Sequence, residues 1–294
     1  MTDVLKISDR LAKRFPTGST VAVSRSARSV CMLTLLALGA CEKGPVEWRG
    51  DALTVAMPAS GEEGAAPIDA HLVLRPDGSP ALEPITAVSS TPSDSAACPG
   101  SLRVSALSPT EIYGVWWSKR DGGRALLLAS RSDDGGGTWI APVPVDTTDR
   151  STVACSRPAP AIAADGSSGY VHVTYFLNAA GGPGVFFAHS MDRGELFHSP
   201  VPIMYGDRPS QTAVAAADSV VVVAFEDPNS ERAQIALAMS RTWGHIFTRE
   251  RPEASSGSPE AERPLIALRK ELVAVGWHGK DRTVVARVGA LKMN

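Results

Sequence analysis

Three Arg-Pro dipeptides, Arg157-Pro158, Arg208-Pro209 and Arg263-Pro264, recur along the chain at similar spacing. A guanidinium stays charged at any physiological pH and grips a carboxylate through two parallel hydrogen bonds. If the three side chains meet, they make a site for an acidic ligand. The competing reading is that each arginine packs on its proline and pairs with a nearby acid, such as Asp207 or Glu262. Other reactive residues are sparse. The histidines, His71, His172, His189, His198, His245 and His278, show no metal-ligand spacing, and no CxxC or Cys/His cluster suggests zinc. Neither a metal nor another cofactor is expected. Glu226 and Asp227 read as acids of a solvated hairpin. Trp116-Trp117 and Trp277-His278 either face a sugar or fill gaps between sheets.

The elements that would position these residues repeat. Val-x-aromatic steps end at Trp117, Tyr175, Phe225 and Trp277, which are 58, 50 and 52 residues apart. A proline precedes each of them: Pro99, Pro158, Pro209 and Pro264. After the first three comes the pattern Ser-x-(Asp/Thr)-x-Gly-x-x-aromatic. Its members are Ser132, Asp134, Gly136 and Trp139; Ser190, Asp192, Gly194 and Phe197; and Ser240, Thr242, Gly244 and Phe247. Three landmarks keeping one order over four cycles mark an internal repeat. β-Branched runs such as Tyr170–Tyr175 and Ser219–Phe225 read as strands, and Gly- and Asp-rich breaks separate them. No convincing amphipathic helix follows residue 41. Each cycle therefore predicts four antiparallel strands, the unit of a propeller blade. Residues 50 to 90 supply a partial cycle, and an N-terminal strand is expected to complete the last sheet. Five blades fit the count best, with six as the alternative.

The Ser/Asp/Gly/aromatic turns resemble the Asp-box, or BNR, repeat, and residues 98 to 290 resemble the sialidase superfamily of β-propellers. In that family the boxes are structural turns away from the active site. The resemblance implies an arginine triad, here Arg157, Arg208 and Arg263, holding a substrate carboxylate. It also implies a tyrosine nucleophile, for which Tyr205 stands nearest the expected mouth. The family's Arg-Ile-Pro motif is absent and no acid/base loop is recognisable. The expected function is therefore binding of a glycan, an acidic small molecule or an envelope protein without catalysis. The alternative is an exo-acting glycoside hydrolase of the sialidase type.

Composition bounds the partners. A 294-residue chain with 44% hydrophobic and 20% charged residues is an ordinary globular protein, and a net charge of −2 argues against nucleic acid. Arg25 and Arg28 precede an apolar run over 29–40, and Leu38-Gly39-Ala40-Cys41 resembles the bacterial lipobox. That resemblance implies a lipid on Cys41, a signal segment over 1–40 with an unusual upstream extension, and a mature propeller domain over 41–294. Translation starting further in, at Val21 or Val23, is the other account of the extension. The expected location is the periplasm or cell surface, at the outer rather than the inner membrane because Glu42 is not Asp. Cys98 and Cys155 remain as an even pair, expected to form a disulfide tying two blades in an oxidising compartment.

Overall fold

The computed structural model describes residues 44–55, 70–85, 88, 90–231, 234–250, 263–278 and 283–292. Contacts divide the chain into Met1–Cys41 and Glu42–Asn294, and all described residues belong to the second unit. Residues 1–40, expected to be a signal segment, and Cys41 lie outside the described residues.

The described elements are strands, apart from one turn of 3-10 helix at Asp121–Gly123. In chain order they are β1 (Val46–Val55), β2 (Ala70–Leu74), β3 (Pro80–Pro84), β4 (Arg103–Ala106), β5 (Ile112–Lys119), β6 (Ala125–Ser132), β7 (Val143–Asp146), β8 (Ala161–Ala164) and β9 (Val171–Ala179). They continue with β10 (Gly182–Ser190), β11 (Val201–Tyr205), β12 (Thr212–Ala217), β13 (Val220–Glu226), β14 (Ile235–Ser240), β15 (Thr248–Glu250), β16 (Leu265–Arg269), β17 (Leu272–His278) and β18 (Val284–Leu291).

These strands form four antiparallel four-stranded sheets and one pair, β2-β3. Three of the larger sheets, β4–β7, β8–β11 and β12–β15, are simple meanders. The fourth has the order β1-β18-β17-β16, so the first strand of the unit closes the last sheet, with Val46 opposite Leu291. The first strands of successive sheets pack side by side: β4 on β8, β8 on β12, β12 on β16 and β16 on β2. All five line one central cavity. Sheets arranged radially about a shared axis make a β-propeller, as the repeat predicts.

Sequence explains which strands go where. Second and third strands have a sheet face on either side, so both faces must be apolar. Val220–Phe225 of β13 and Val171–Leu177 of β9 are accordingly β-branched, aromatic and small residues buried almost throughout. Four apolar clusters fill the seams between successive sheets. Each large side chain in them contributes about 1.5–3 kcal/mol through burial. Cys98 and Cys155 are bonded, with Cα atoms 5.1 Å apart, tying the segment before β4 to the segment before β8.

The three Ser/Asp/Gly turns follow β6, β10 and β14, and one hydrogen-bond scheme holds them. In each, the serine hydroxyl accepts the N–H of the glycine four residues on, at 2.8, 2.8 and 3.0 Å. Asp134 accepts the N–H of Thr138, and Asp192 accepts that of Leu196. Thr242, where the third copy lacks Asp, accepts the N–H of Ile246 at 3.0 Å through its hydroxyl. The degenerate third copy is thus a working turn. Thr138 and Ser132 donate to Asp134 and hold its carboxyl down at about 2.

Gly244 is the tightest of these positions. Its φ is +89°, and a Cβ there would lie 2.3 Å from the Phe187 ring of the preceding sheet. Gly244→Ala is therefore expected to destabilise by about 3 kcal/mol, combining backbone strain with overpacking. Gly122→Ala, at φ +71° with nothing within 4 Å, is expected to cost about 1 kcal/mol. Urea unfolding of the two variants measures the difference.

Candidate ligand site at the central mouth

The starts of the innermost strands converge. Leu72 of β2, Val104 of β4, Ile162 of β8, Val214 of β12 and Leu265 of β16 form the apolar wall of a cavity of about 190 Å³. Its polar lining comes from His71, Arg103, Thr212 and Arg263. Every inner strand begins here, so this end of the axis is the mouth. The Ser/Asp/Gly turns close third strands, which run in the same direction as first strands, and so lie at the opposite end. Arg103 donates to the carbonyls of Gly100 and Leu102 at 2.9 and 2.7 Å, which fixes its guanidinium at the rim. The Thr212 hydroxyl donates to the Thr174 carbonyl at 3.2 Å.

Of the three arginines singled out by spacing, only Arg263 is among the described residues lining this cavity. Arg157 is nearly fully buried. It donates to Asp149 at 2.8 Å and lies 4.8 Å from the centre of the Trp117 ring. Its charge is therefore committed to the seam between β4–β7 and β8–β11. Arg208 donates to the Asp227 carbonyl at 3.0 Å. Repeat phase aligned the backbones of the three positions, but the guanidiniums followed their local partners. Arg103 is the cation that spacing missed. It lies four residues after Pro99, outside the Arg-Pro pattern.

The tyrosines and acids also fall differently from expectation. Tyr205 lies on β11, the outermost strand of its sheet, 49% exposed and packed edge-on against Phe186. It is not among the cavity lining. Glu226 and Asp227, expected in a solvated hairpin, are buried. That expectation is corrected: β13 runs through Glu226, whose carboxylate accepts the Gln211 N–H at 3.1 Å, and Asp227 accepts the Asn229 N–H at 2.9 Å. Glu226 thus ties the end of β13 to the segment before β12, and Asp227 holds the turn that follows β13. Tyr175 is fully buried and donates to Asp146 at 2.6 Å. Burial first, then the Asp146 charge, pushes its hydroxyl far above the ordinary phenol range, the reverse of activation.

Trp116 and Trp117 are buried packing residues, their indole N–H groups donating to Asp94 and to the Pro158 carbonyl, both at 2.9 Å. Four histidines meet where β8–β11 abuts β12–β15. His189 lies 4.7 Å from His245, 5.1 Å from His198 and 6.4 Å from His172, centre to centre. Among the described residues, no group of three or more His, Cys, Asp or Glu side chains is placed to hold a metal ion.

No family model matches the chain. No curated protein matches it. Solved structures similar to it include sialidases and other glycoside hydrolases. The Hadza microbial sialidase Hz136 is 15% identical over 61% of this chain and 42% of its own, with a TM-score of 0.46. The Trypanosoma rangeli sialidase is 11% identical over 76% of this chain and 39% of its own, at 0.45. A protein of unknown function from Dyadobacter fermentans is 19% identical over 61% and 50%, at 0.46. The chain thus spans half or less of the length of these three structures.

Proposed function

We propose that the chain is an exported, lipid-anchored propeller of the sialidase-like, Asp-box type that binds a carboxylate-bearing ligand at its central mouth without cleaving it. The ligand is an acidic glycan or acidic small molecule. The observation that carries this reading is the convergence of five inner strands on one cavity whose described polar lining is Arg103, Arg263, His71 and Thr212. Arg103 and Arg263 supply cationic hydrogen bonding for an anion on an apolar floor, the usual make-up of a small-molecule site. Neither a carboxylate nor a phenol stands among the described lining residues to act as base or nucleophile. Export is supported by the disulfide between Cys98 and Cys155. The lipid anchor rests on the apolar run ending at Cys41.

The test is calorimetric titration with N-acetylneuraminic acid beside a fluorogenic sialoside assay. Binding without turnover is expected. Arg263→Ala should weaken binding at least ~10-fold, and Arg263→Lys should restore only part, because an ammonium lacks the planar fork. Turnover of the sialoside, or binding indifferent to Arg263, overturns the reading. An envelope protein remains the other class of occupant, and its capture at the mouth with no response to any acidic sugar would displace the small-ligand reading.

A further inference from the structure

The end opposite the mouth carries apolar side chains that the fold leaves uncovered. The turns after β10 and β14 hold Met191, Leu196, Trp243 and Ile246 there, at 46, 66, 39 and 69% exposure. Leu196 and Ile246 occupy equivalent places in the two turns, each six residues after the turn serine. Tyr170, just before β9 at the same end, donates to the Met191 sulfur at 3.1 Å, and its ring stacks on Trp243 at 6.1 Å between centres. The aromatic and thioether groups are therefore one continuous patch. Trp243 also holds φ at +52°, where the first turn has Gly135 at +75°. The second turn has Arg193 at +60° in the same place, so the turn itself sets this conformation and turns the residue there outward.

The charges at this end are unevenly engaged. Asp134 and Asp192 accept hydrogen bonds within their own turns, Glu111 and Asp133 pair with Arg193 and Arg131, and Glu195 and Asp218 are exposed acids at the same end. Arg49, Arg269 and Lys270 instead surround a surface hollow of about 430 Å³ beside the turn between β16 and β17, with Glu271 as the acid among them. The chain also joins the propeller here. β1 begins opposite the end of β18, and Lys292 donates to the Gly44 carbonyl at 2.6 Å. Cys41 precedes Gly44 by three residues in the sequence.

We propose that this end is a membrane-resting face, so that the mouth points away from the bilayer. Trp243, Tyr170, Met191, Leu196 and Ile246 enter the interfacial layer, where an amphipathic ring keeps its apolar body in lipid and its polar edge wet. Arg49, Arg269 and Lys270 face anionic headgroups. The tether at Cys41 rests on the lipid-anchor reading above, whereas the affinity of the face belongs to the folded unit alone. Lipid and face together make the two-signal attachment that stable membrane residence requires.

The experiment uses the full chain carrying Cys41→Ser and vesicles of phosphatidylcholine with about 30% phosphatidylglycerol, some of it brominated. Tryptophan emission is expected to be quenched on binding, and Trp243→Phe should remove the quenched component. Residues 1–40 contain no tryptophan, and the component lost in Trp243→Phe reports the face, whereas quenching of Trp48 would report insertion of the apolar run over 29–40. Leu196→Glu with Ile246→Glu should reduce partitioning at least ~10-fold, and Lys270→Glu should weaken binding to anionic but not to neutral vesicles. Quenching undiminished by Trp243→Phe, or partitioning indifferent to the double variant, overturns the face. Self-association abolished by the double variant, without vesicle binding, also overturns it in favour of a second copy. Mass spectrometry of the native chain separates the two claims. Lipid on Cys41 without Trp243 quenching removes the face alone, whereas quenching without lipid removes the anchor and leaves the face.

Discussion

Asp149→Ala is expected to lower the unfolding free energy by about 3–5 kcal/mol, the loss typical when one partner of a buried ion pair is removed. Side-chain exposure is 5% for Arg157 and 1% for Asp149, so the pair is held largely out of water. The same carboxylate accepts the N–H groups of Ala125 and Ser151, at 3.3 and 3.1 Å, and these too would be orphaned. The stranded guanidinium would remain over the Trp117 ring without a counter-charge. Urea denaturation measures the loss. Asp149→Leu combined with Arg157→Met should recover much of it, because removing both charges removes the desolvation problem that removing one creates. A single-variant effect below about 1 kcal/mol would mean that the pair behaves as a solvated surface bridge.

Acid should weaken the seam built around the four imidazoles. His172 is fully buried, and neither of its ring nitrogens has a hydrogen-bond partner. Burial, with His189 adding to it and Asp165 opposing, pulls His172 down to about 3. His189 falls to about 4 through burial and then the neighbouring His245 and His198. Both folded values lie below the ordinary imidazole value of about 6.5, so as pH falls the unfolded chain takes up protons first. Stability is thus complete above about pH 6.5 and declines down to about pH 4 for His189 and about pH 3 for His172. For His172 alone, the loss by pH 5 is about 2 kcal/mol. Asp94, Glu111, Asp134 and Asp192 are also held below their usual values. Those acids give up stability only at lower pH, which leaves the higher window to the imidazoles. His172→Phe keeps a ring stacked between Tyr170 and Phe187, and should flatten the pH dependence by about 1.4 kcal/mol per pH unit. An unchanged slope would place the acid response elsewhere.

What was legible in the sequence follows from what each feature needs. The strand repeat and the three turns depend on local pattern, and local pattern survives folding, while closure by an N-terminal strand followed from a last cycle one strand short. The bond between Cys98 and Cys155 needed only the repeat phase and an even count. Side-chain direction is different, because it depends on neighbours that come from other sheets. Arg157 shares its phase with Arg263, yet Asp149 and Trp117 hold it in a seam while Arg263 reaches the mouth. Glu226 sits beside a turn sequence that reads as solvated, but the Gln211 N–H draws its carboxylate inward. The four histidines are scattered over two cycles, and only packing between sheets brings them together.

The clasp between β1 and β18 joins residues from opposite ends of the domain. Assembly order is therefore constrained. β1 is synthesised first but has no hydrogen-bonded neighbour until β18 has emerged, so its backbone edge waits open while the intervening sheets form. Pairing across nearly the whole domain also carries the loop-closure cost that makes distant strand contacts slow. Loss of either end would leave a ring whose final sheet lacks its outer strand or the strands that strand should join.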